Sequence, residues 1–333
     1  MDHPLSRSAC KPEVGQEFNI GGKRYVLAGK IGDGAAGLVR RALRKEDGAE
    51  FAIKFLAPDP KYIDESTFDD VAARFQREGQ RGTQIRHHAL VVVHAYSANT
   101  NGEAFFNKGP HNPFILMEIV KGSTMEGLIR RETTPRTGER DPKVFALTPE
   151  RLAIAIDVAE ALKYLHQKKL VHRDVKPANI FLPSGAKGLP RAKLGDFGIM
   201  KWGDFQASIS TGALTMTSQQ GLGTLKYMSP EQAISPKDVT VRSDIYSLGI
   251  TLFELFTGQI LPSPHHVFEI LNARLSRGTT ASRYIAMGYR ILPGDEGIAE
   301  MILDMHLRGA SGRPAIDRVA GRLTYELERR TGE

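Results

Sequence analysis

The chain has 333 residues, which is enough for two domains, and its 41% hydrophobic and 25% charged residues are typical of a soluble globular protein. The formal net charge of +7 would suit nucleic acid or an anionic membrane surface, but the basic residues are spread along the chain, so we expect no dedicated nucleic-acid site. The single cysteine, Cys10, excludes an intrachain disulfide. Without an apolar leader or a run of about 18 apolar residues, we expect a cytoplasmic protein with no membrane span.

The first part of the chain is predicted to form β-strands around a glycine-rich loop. Residues 1–23 are polar and should be an extended lead-in. A strand beginning at Tyr25 leads into residues 31–39, which read IGDGAAGLV. Apolar and polar residues still alternate after the glycines, which predicts a second strand instead of the helix of a dinucleotide-binding fold. Glycines in such a loop let backbone N–H groups approach phosphate oxygens. Residues 51–54, FAIK, predict a third strand.

An amphipathic helix is predicted to follow the polar loop at residues 58–67, with a capping box that begins at Thr67. By its spacing, Glu78 lies near the apolar face of this helix. Gly79 and Gly82 come next, and a glycine weakens a helix by roughly 1 kcal/mol relative to alanine. The sequence therefore predicts a helix that is only loosely held.

Three further elements lead to the polar centre of the sequence. Residues 114–120, FILMEIV, predict a buried strand, and the polar, irregular residues 131–148 predict an inserted loop. The next helix should begin at Thr148 and Pro149, because proline suits the first position of a helix. Apolar residues recur along one face of this helix, so we expect it to pack against a core.

The strongest chemical signal lies just after this helix. Asp174 precedes Asn179 by five residues, and Asp196 follows a predicted hairpin of two short apolar pairs joined by a Pro- and Gly-rich connection. Such a hairpin would bring Asp174, Asn179 and Asp196 to one edge. Their oxygens are hard ligands of the kind that Mg²⁺ prefers.

The C-terminal part is predicted to be mostly helical. Residues 199–220 have few apolar side chains and many Ser, Thr and Gly, which predicts a loop. A long buried helix should begin near Asp244, and an amphipathic helix should span residues 315–330.

Together these segments resemble the motifs of the Hanks-type Ser/Thr protein kinases, and the bacterial branch of that family is the most similar. The motifs are G-x-G-x-x-G at 32–37, A-I-K at 52–54, H-R-D-x-K-x-x-N at 172–179, D-F-G at 196–198, G-T-x-x-Y-x-S-P-E at 223–231 and the arginine of G-R-P at 312–314. The resemblance implies an α+β, bilobal protein-kinase fold. Residues 24–119 would form a small β-rich N-lobe with helix C, and residues 120–333 would form the hinge and a larger, mainly α-helical C-lobe.

The resemblance implies a protein kinase that transfers the γ-phosphate of ATP to Ser/Thr hydroxyls of protein substrates, with Mg²⁺ as cofactor and Mn²⁺ as its alternative. Asp174 would orient the substrate hydroxyl and take its proton, and Lys176 would neutralise the phosphate in transit. Asn179 and Asp196 would hold the metal. Together with Thr224, Lys176 favours serine and threonine over tyrosine substrates.

The same resemblance assigns the nucleotide site. Lys54, steadied by Glu78, would hold the α- and β-phosphates. The other residues assigned to ATP are Ile31, Gly32, Gly34, Gly37, Val39, Ala52, Met117, Glu118 and Val120.

Regulatory and structural roles are also implied. Arg173 would pair with a phosphate that the enzyme adds to its own Thr215 or Thr217, and a homodimer would permit that autophosphorylation. Thr224 would contact Asp174 directly. Structural roles fall to His172, Phe197, Glu231, Asp244 and Arg313, where Asp244 would cap backbone N–H groups of the catalytic loop and Glu231 would form a buried ion pair with Arg313.

Besides the two inserts near 58–67 and 131–148, two residues depart from the family pattern. Ala36 occupies the loop tip where many kinases carry an aromatic residue, and Gly82 lies one turn after Glu78, where a larger apolar residue often bridges the helix to the sheet. The alternative functions are a pseudokinase scaffold and a small-molecule kinase of similar fold. Intact motif residues argue against the first, and the 223–231 segment argues against the second. The sequence leaves open the physiological substrate, the upstream signal, the oligomeric state and the role of both inserts.

Overall fold

The computed structural model describes residues 13–34, 37–56, 65–97, 113–133, 144–185, 187–196, 226–235, 239–258, 290–291, 294–305 and 309–332. The described residues form two compact units. The first contains those up to His87 together with Val91–Ile119, and the second contains His88–Leu90 and those from Val120 to Asp196 and beyond Met216.

The first unit is a six-stranded antiparallel sheet with one helix. The elements are β1 Glu17–Ile20, β2 Lys23–Gly34, β3 Gly37–Arg44, β4 Glu50–Leu56, α1 Glu65–Thr83, β5 Val93–Ser97 and β6 Phe114–Glu118. The strand order is β1-β2-β3-β4-β6-β5, and α1 packs on β5. Strands β2 and β3 form the predicted hairpin, with Gly34 opposite Gly37. The tip residues Ala35 and Ala36 lie outside the described residues.

Strand β1 lies within residues 1–23, the segment expected to be a lead-in. Gly21 and Gly22 connect β1 to β2, and both have positive φ angles, 54° and 75°. A two-residue turn of this kind has the twist that joins antiparallel strands. The strand forms because Phe18 is buried, with its ring stacked on Tyr25 at 5.5 Å between centroids. The lead-in therefore contributes to the core of the sheet.

Helix α1 differs from its prediction at its start. Thr67, the expected first residue of a capping box, lies within the helix, which includes Glu65. The predicted insert at 58–67 is thus helical in its last residues, and its earlier part lies outside the described residues.

The second unit is mainly helical. Its elements are β7 Gly122–Thr124, α2 Met125–Thr133, β8 Val144–Phe145, α3 Pro149–Gln167, β9 Ile180–Pro183, β10 Lys193–Leu194, α4 Pro230–Ile234, α5 Val241–Thr257, β11 Arg290–Ile291, α6 Glu296–Met305 and α7 Ile316–Thr331. The Thr148 hydroxyl accepts a hydrogen bond from the N–H of Arg151, so α3 begins as predicted. Helix α5 is buried along nearly its whole length, and α7 packs on α3.

The second predicted hairpin, which lies between Asn179 and Asp196, is also present. Strands β9 and β10 are antiparallel, with Lys193 opposite Phe181 and Leu194 opposite Ile180. Strand β7 completes a three-stranded sheet, which the sequence did not predict. Within the described ranges, no helix is long and apolar enough to cross a membrane.

Candidate active site

The loop before β9 is fixed by one carboxylate at the start of α5. Asp244 is fully buried in the first turn of that helix, where the helix dipole favours a negative charge. Its two oxygens accept hydrogen bonds from the backbone N–H groups of His172 at 2.8 Å and Arg173 at 2.7 Å. The ring of His166 lies 2.9 Å from the same carboxylate. The cap expected of Asp244 is therefore present.

Arg173 has a left-handed backbone with φ of 70°. Such a conformation is uncommon for a residue other than glycine and persists where its surroundings impose it. Here both backbone groups are held, because the N–H donates to Asp244 and the carbonyl accepts from Gln232 Nε2 at 3.0 Å. The turn at Arg173 directs the next residue, Asp174.

Asn179 and Lys176 both contact one carboxylate oxygen of Asp174. Asn179 Nδ2 donates to Asp174 Oδ2 at 2.5 Å and to the Asp174 carbonyl at 2.8 Å. Lys176 Nζ lies 3.2 Å from the same Oδ2. The Asp174 side chain is only 3% exposed, so these contacts set its orientation.

His172 joins this loop to the residue before Asp196. Its Nδ1 accepts the N–H of Asp174 at 3.3 Å, and its Nε2 lies 3.2 Å from the carbonyl of Gly195. One nitrogen must accept and the other must donate, which is the pattern of a neutral ring protonated at Nε2. Burial lowers the pKa of His172, in keeping with the neutral form.

The hairpin brings Asp196 beside Asn179. The N–H of Gly195 donates to the carbonyl of Asn179 at 2.9 Å, and Asp196 has a left-handed backbone with φ of 57°. Because Asn179 Nδ2 is engaged by Asp174, Asn179 Oδ1 is the amide atom suited to a cation. An amide oxygen and one carboxylate fit Mg²⁺, which takes few protein ligands and completes its shell with phosphates and water.

In the first unit, Lys54 of β4 and Glu78 of α1 form the expected pair. Lys54 Nζ lies 3.7 Å from Glu78 Oε1, and Glu78 is buried. This distance is that of an ion pair without a close hydrogen bond.

Two glycines allow α1, the helix that the sequence predicted to be loosely held, to lie close to β5. A Cβ on Gly79 would lie 2.4 Å from the Cβ of Tyr96, and one on Gly82 would lie 2.7 Å from Val93 Cγ2. The helix backbone therefore contacts the strand directly. Val93 fills the space that a larger side chain at position 82 would occupy, so the departure at Gly82 is matched by closer packing.

The residues assigned to ATP in the first unit lie on adjoining strands. Register places Val39 opposite Lys54 and Ala52 opposite Met117. Ile31 of β2 is 48% exposed, one of few large apolar side chains so placed among the described residues. The remaining assigned positions there are Gly32, Gly34 and Gly37 on β2 and β3 and Glu118 at the end of β6.

Glu118 has a contact that sequence reasoning missed. Its Oε1 accepts the N–H of Val92 at 2.8 Å, while its own N–H donates to the carbonyl of Val92. Val120 belongs to the second unit.

A buried ion pair joins α4 to the segment before α7. Arg313 is fully enclosed and donates to both Glu231 oxygens, with Nη2 at 2.8 Å from Oε2. Ser243 also donates to Glu231 at 2.7 Å. Although burial raises the pKa of Glu231, the Arg313 hydrogen bonds keep it below its ordinary value.

Sequence reasoning also missed the pair between Tyr227 and Glu254. The Tyr227 hydroxyl donates to Glu254 Oε2 at 2.5 Å, and burial raises the pKa of both groups. The sequence did offer one sign of a buried polar contact, because Glu254 interrupts the mainly apolar stretch of α5. The predicted residues Phe197, Thr215, Thr217 and Thr224 lie outside the described residues.

Comparison with known proteins identifies the family. The model described as "Protein kinase domain" matches residues 25–289. The chain belongs to the protein kinase domain family. The expected Hanks-type membership and the fold, a β-rich N-lobe and a helical C-lobe, are confirmed.

Curated proteins similar to this kinase domain include bacterial kinases. Serine/threonine-protein kinase PknB of Mycobacterium tuberculosis is 34% identical over 240 residues, covering 71% of this chain and 33% of that protein. A probable serine/threonine-protein kinase of Streptomyces coelicolor is 34% identical over 242 residues, covering 71% and 30%. The chain thus spans about a third of the length of these relatives.

Solved structures agree on the fold of the kinase domain. The crystal structure of the Mycobacterium tuberculosis PknI kinase domain has a TM-score of 0.62 and 22% identity, covering 96% of this chain and 99% of that one. A double mutant of the same domain has a TM-score of 0.58 and 23% identity, covering 95% and 98%.

Proposed function

We propose that this chain is an ATP- and Mg²⁺-dependent protein kinase that phosphorylates Ser and Thr hydroxyls of protein substrates. The observation that carries the proposal is the Asp174 carboxylate held by Asn179 and Lys176 in the catalytic loop. The bacterial relatives named as Ser/Thr kinases support the same reaction. The N-lobe would be residues 24–119, and the hinge and C-lobe would be residues 120–333.

The chain's own groups act by position and charge, as phosphoryl transfer requires. Asp174 orients the substrate hydroxyl and accepts its proton as the oxygen attacks. Lys176, beside Asp174, offsets the negative charge of the phosphoryl group during transfer. Lys54, steadied by Glu78, holds the α- and β-phosphates of ATP.

Asn179 and Asp196 are the proposed metal ligands. These two side chains would hold Mg²⁺, which would supply Lewis-acid stabilisation of the negative charge that develops on the phosphates. The N–H of Gly195 donates to the carbonyl of Asn179, which links the backbone of one proposed ligand to the residue before the other.

Regulation would act through Arg173. A phosphate on Thr215 or Thr217, added by a second copy of the chain, would carry about −1.5 to −2 charge and accept charge-assisted hydrogen bonds from this arginine. Thr224 would contact Asp174 and Lys176.

This regulation is tested by expressing the chain with and without a co-expressed phosphatase, mapping its phosphorylation sites, and comparing the activity of Thr215→Ala/Thr217→Ala with that of wild type. Equal activity in all cases and no phosphate on residues 208–220 would reject the proposed regulation.

The activity is tested with γ-labelled ATP, Mg²⁺ and a generic Ser/Thr protein substrate. Label should appear on Ser and Thr residues, located by mass spectrometry. Lys54→Met should abolish transfer because the phosphates lose their anchor. Nucleotide binding without transfer would instead favour a pseudokinase scaffold, and transfer only to small molecules would favour a small-molecule kinase of similar fold.

A further inference from the structure

A buried carboxylate in the middle of α3 stands apart from the catalytic loop. Asp157 is 5% exposed and accepts four contacts. Arg191 donates twice, from Nε to Oδ2 at 3.0 Å and from Nη2 to Oδ1 at 2.9 Å, and the N–H of Ala192 donates to Oδ2 at 2.8 Å. His88 Nε2 lies 3.5 Å from Oδ1. Three separate segments therefore meet at one side chain.

Stability alone is a poor reason for a carboxylate at this point. Removing a charge from water costs free energy that a partner does not always return, and an apolar residue of similar size often serves a buried helix position as well. The Arg191 side chain remains 56% exposed, which weakens its attraction to Asp157 further. The carboxylate instead fixes the direction of the chain at residues 191–192, because it accepts a bidentate pair of hydrogen bonds from Arg191 and one from the N–H of Ala192.

That direction is imposed on the strand that leads to Asp196. Strand β10 follows Ala192 directly and has only two residues, so its ladder with β9 is short. Leu194 gains one more backbone bond, from its N–H to the carbonyl of Ala89 at 2.8 Å. Asp157 holds the beginning of this segment, and the Gly195 contacts with Asn179 and His172 hold its end.

The residue after these anchors has an unfavourable backbone. Asp196 has a left-handed backbone with φ of 57°, which is uncommon for a residue other than glycine and persists where the surrounding structure holds it. Because Asp196 is two residues beyond the short strand, its backbone position depends on the Asp157 contacts at Ala192 together with the contacts of Leu194 and Gly195.

We propose that Asp157 is a positioning residue for the metal ligand Asp196, acting through Arg191 and Ala192 on strand β10. The inference rests on the proposed function, since it needs Asp196 to bind Mg²⁺. Residues that orient metal ligands typically change metal affinity 10–100-fold when replaced, without touching the metal.

The test measures metal binding directly. Mn²⁺ is titrated into the protein with a non-hydrolysable ATP analogue and the free ion is followed by electron paramagnetic resonance, while calorimetry gives the affinity for the analogue without metal. Asp157→Ala should weaken Mn²⁺ binding about 10-fold or more, with metal-free nucleotide affinity unchanged. Asp157→Asn keeps an acceptor for Ala192 and should be weakened less.

Two control variants separate position from stability. Glu160→Ala removes a carboxylate from the same helix that contacts Lys163 instead of β10, and it should bind Mn²⁺ as wild type does. Glu326→Gln alters a buried carboxylate of α7 that pairs with arginines, so it should lower the melting temperature and leave Mn²⁺ affinity unchanged.

The outcomes are distinct. If Asp157→Ala and Asp157→Asn lower the melting temperature but bind Mn²⁺ with wild-type affinity, Asp157 is only structural and the inference is overturned. If Asp157→Ala does not fold, Asp157→Asn decides alone. If wild type itself binds no Mn²⁺ with nucleotide present, the proposed function and this inference both fail.

Discussion

At the scale of single residues, the most direct prediction concerns the catalytic role of Asp174. Asp174→Asn keeps the size of the side chain and loses the base, so kcat should fall roughly 10²–10⁴-fold while the fold is retained. The measurement is phosphoryl transfer under saturating ATP, alongside thermal unfolding. A variant with wild-type kcat would remove Asp174 from the mechanism.

The burial of His172 should make the free energy of unfolding depend on pH. Its pKa is lowered by burial in the folded state, whereas in the unfolded chain it should lie near its ordinary value of about 6.5. The unfolded state then binds the proton first, so this contribution is complete above about pH 6.5 and is lost as the pH falls. The free energy of unfolding should decrease by up to about 1.4 kcal/mol per pH unit below that value.

Urea unfolding between pH 5 and pH 8 checks this expectation. His172→Gln should be less stable at pH 8 and show a flatter decline toward pH 5. His94, whose pKa burial also lowers, contributes to the same window, so His94→Gln serves as the matched comparison. An unchanged slope in His172→Gln would show that the ring is not held neutral.

Sequence predicted the residues of the catalytic loop better than their partners. Asp174, Lys176 and Asn179 lie within six positions of one another, so spacing alone brings them together. The contacts from Gln232 to Arg173 and from Val92 to Glu118 join residues 59 and 26 positions apart. Local pattern carries no information on which distant amide a polar side chain will reach.

At the scale of elements, Gly82 shows where helix propensity misleads. Alanine favours a helix by roughly 1 kcal/mol over glycine, but here its Cβ would meet Val93 at 2.7 Å. Overpacking of this kind typically costs about 1–3 kcal/mol. Gly82→Ala should therefore lower stability, move Glu78 away from Lys54 and reduce kcat.

Two variants check the cause. Adding Val93→Ala to Gly82→Ala should restore both stability and kcat, because it removes the obstructing methyl groups. Gly321→Ala in α7, where a Cβ would meet nothing within 4 Å, should instead stabilise the chain by up to about 1 kcal/mol. If Gly82→Ala behaves like Gly321→Ala, direct contact between α1 and β5 does not govern the position of Glu78.

The other element-level differences have the same origin. The predicted strands, the 180–194 hairpin and α3 follow from periodicity, capping and turn residues, which are local. Strand β1 was missed because it is short and has only two apolar residues, Phe18 and Ile20, and the burial of Phe18 depends on Tyr25 across the turn.

At the scale of the whole molecule, ligand binding should appear as stability. Mg²⁺ with an ATP analogue, supplied at about 100 times its Kd, should stabilise the chain by about 2.7 kcal/mol because it binds only the folded state. Asp196→Ala should lose the Mg²⁺-dependent part of this gain and keep the metal-free part. Asp304→Ala, an exposed carboxylate of α6, is the control and should respond as wild type. A full Mg²⁺ response in Asp196→Ala would mean that the metal is held elsewhere.

The membership of His88–Leu90 in the second unit limits how this chain can be cut. A fragment of residues 120–333 would lack the Ala89 carbonyl that accepts from Leu194 and the bridge between Leu90 and Leu194. We expect that fragment to unfold at a lower temperature than one that also carries a tethered copy of residues 84–92, and a synthetic peptide of that sequence added in trans should recover part of the difference. Genetic division of this kinase domain between Ile119 and Val120 would thus leave the second piece without a segment that it packs on, whereas a cut before residue 84 would instead separate β5 and β6 from β4.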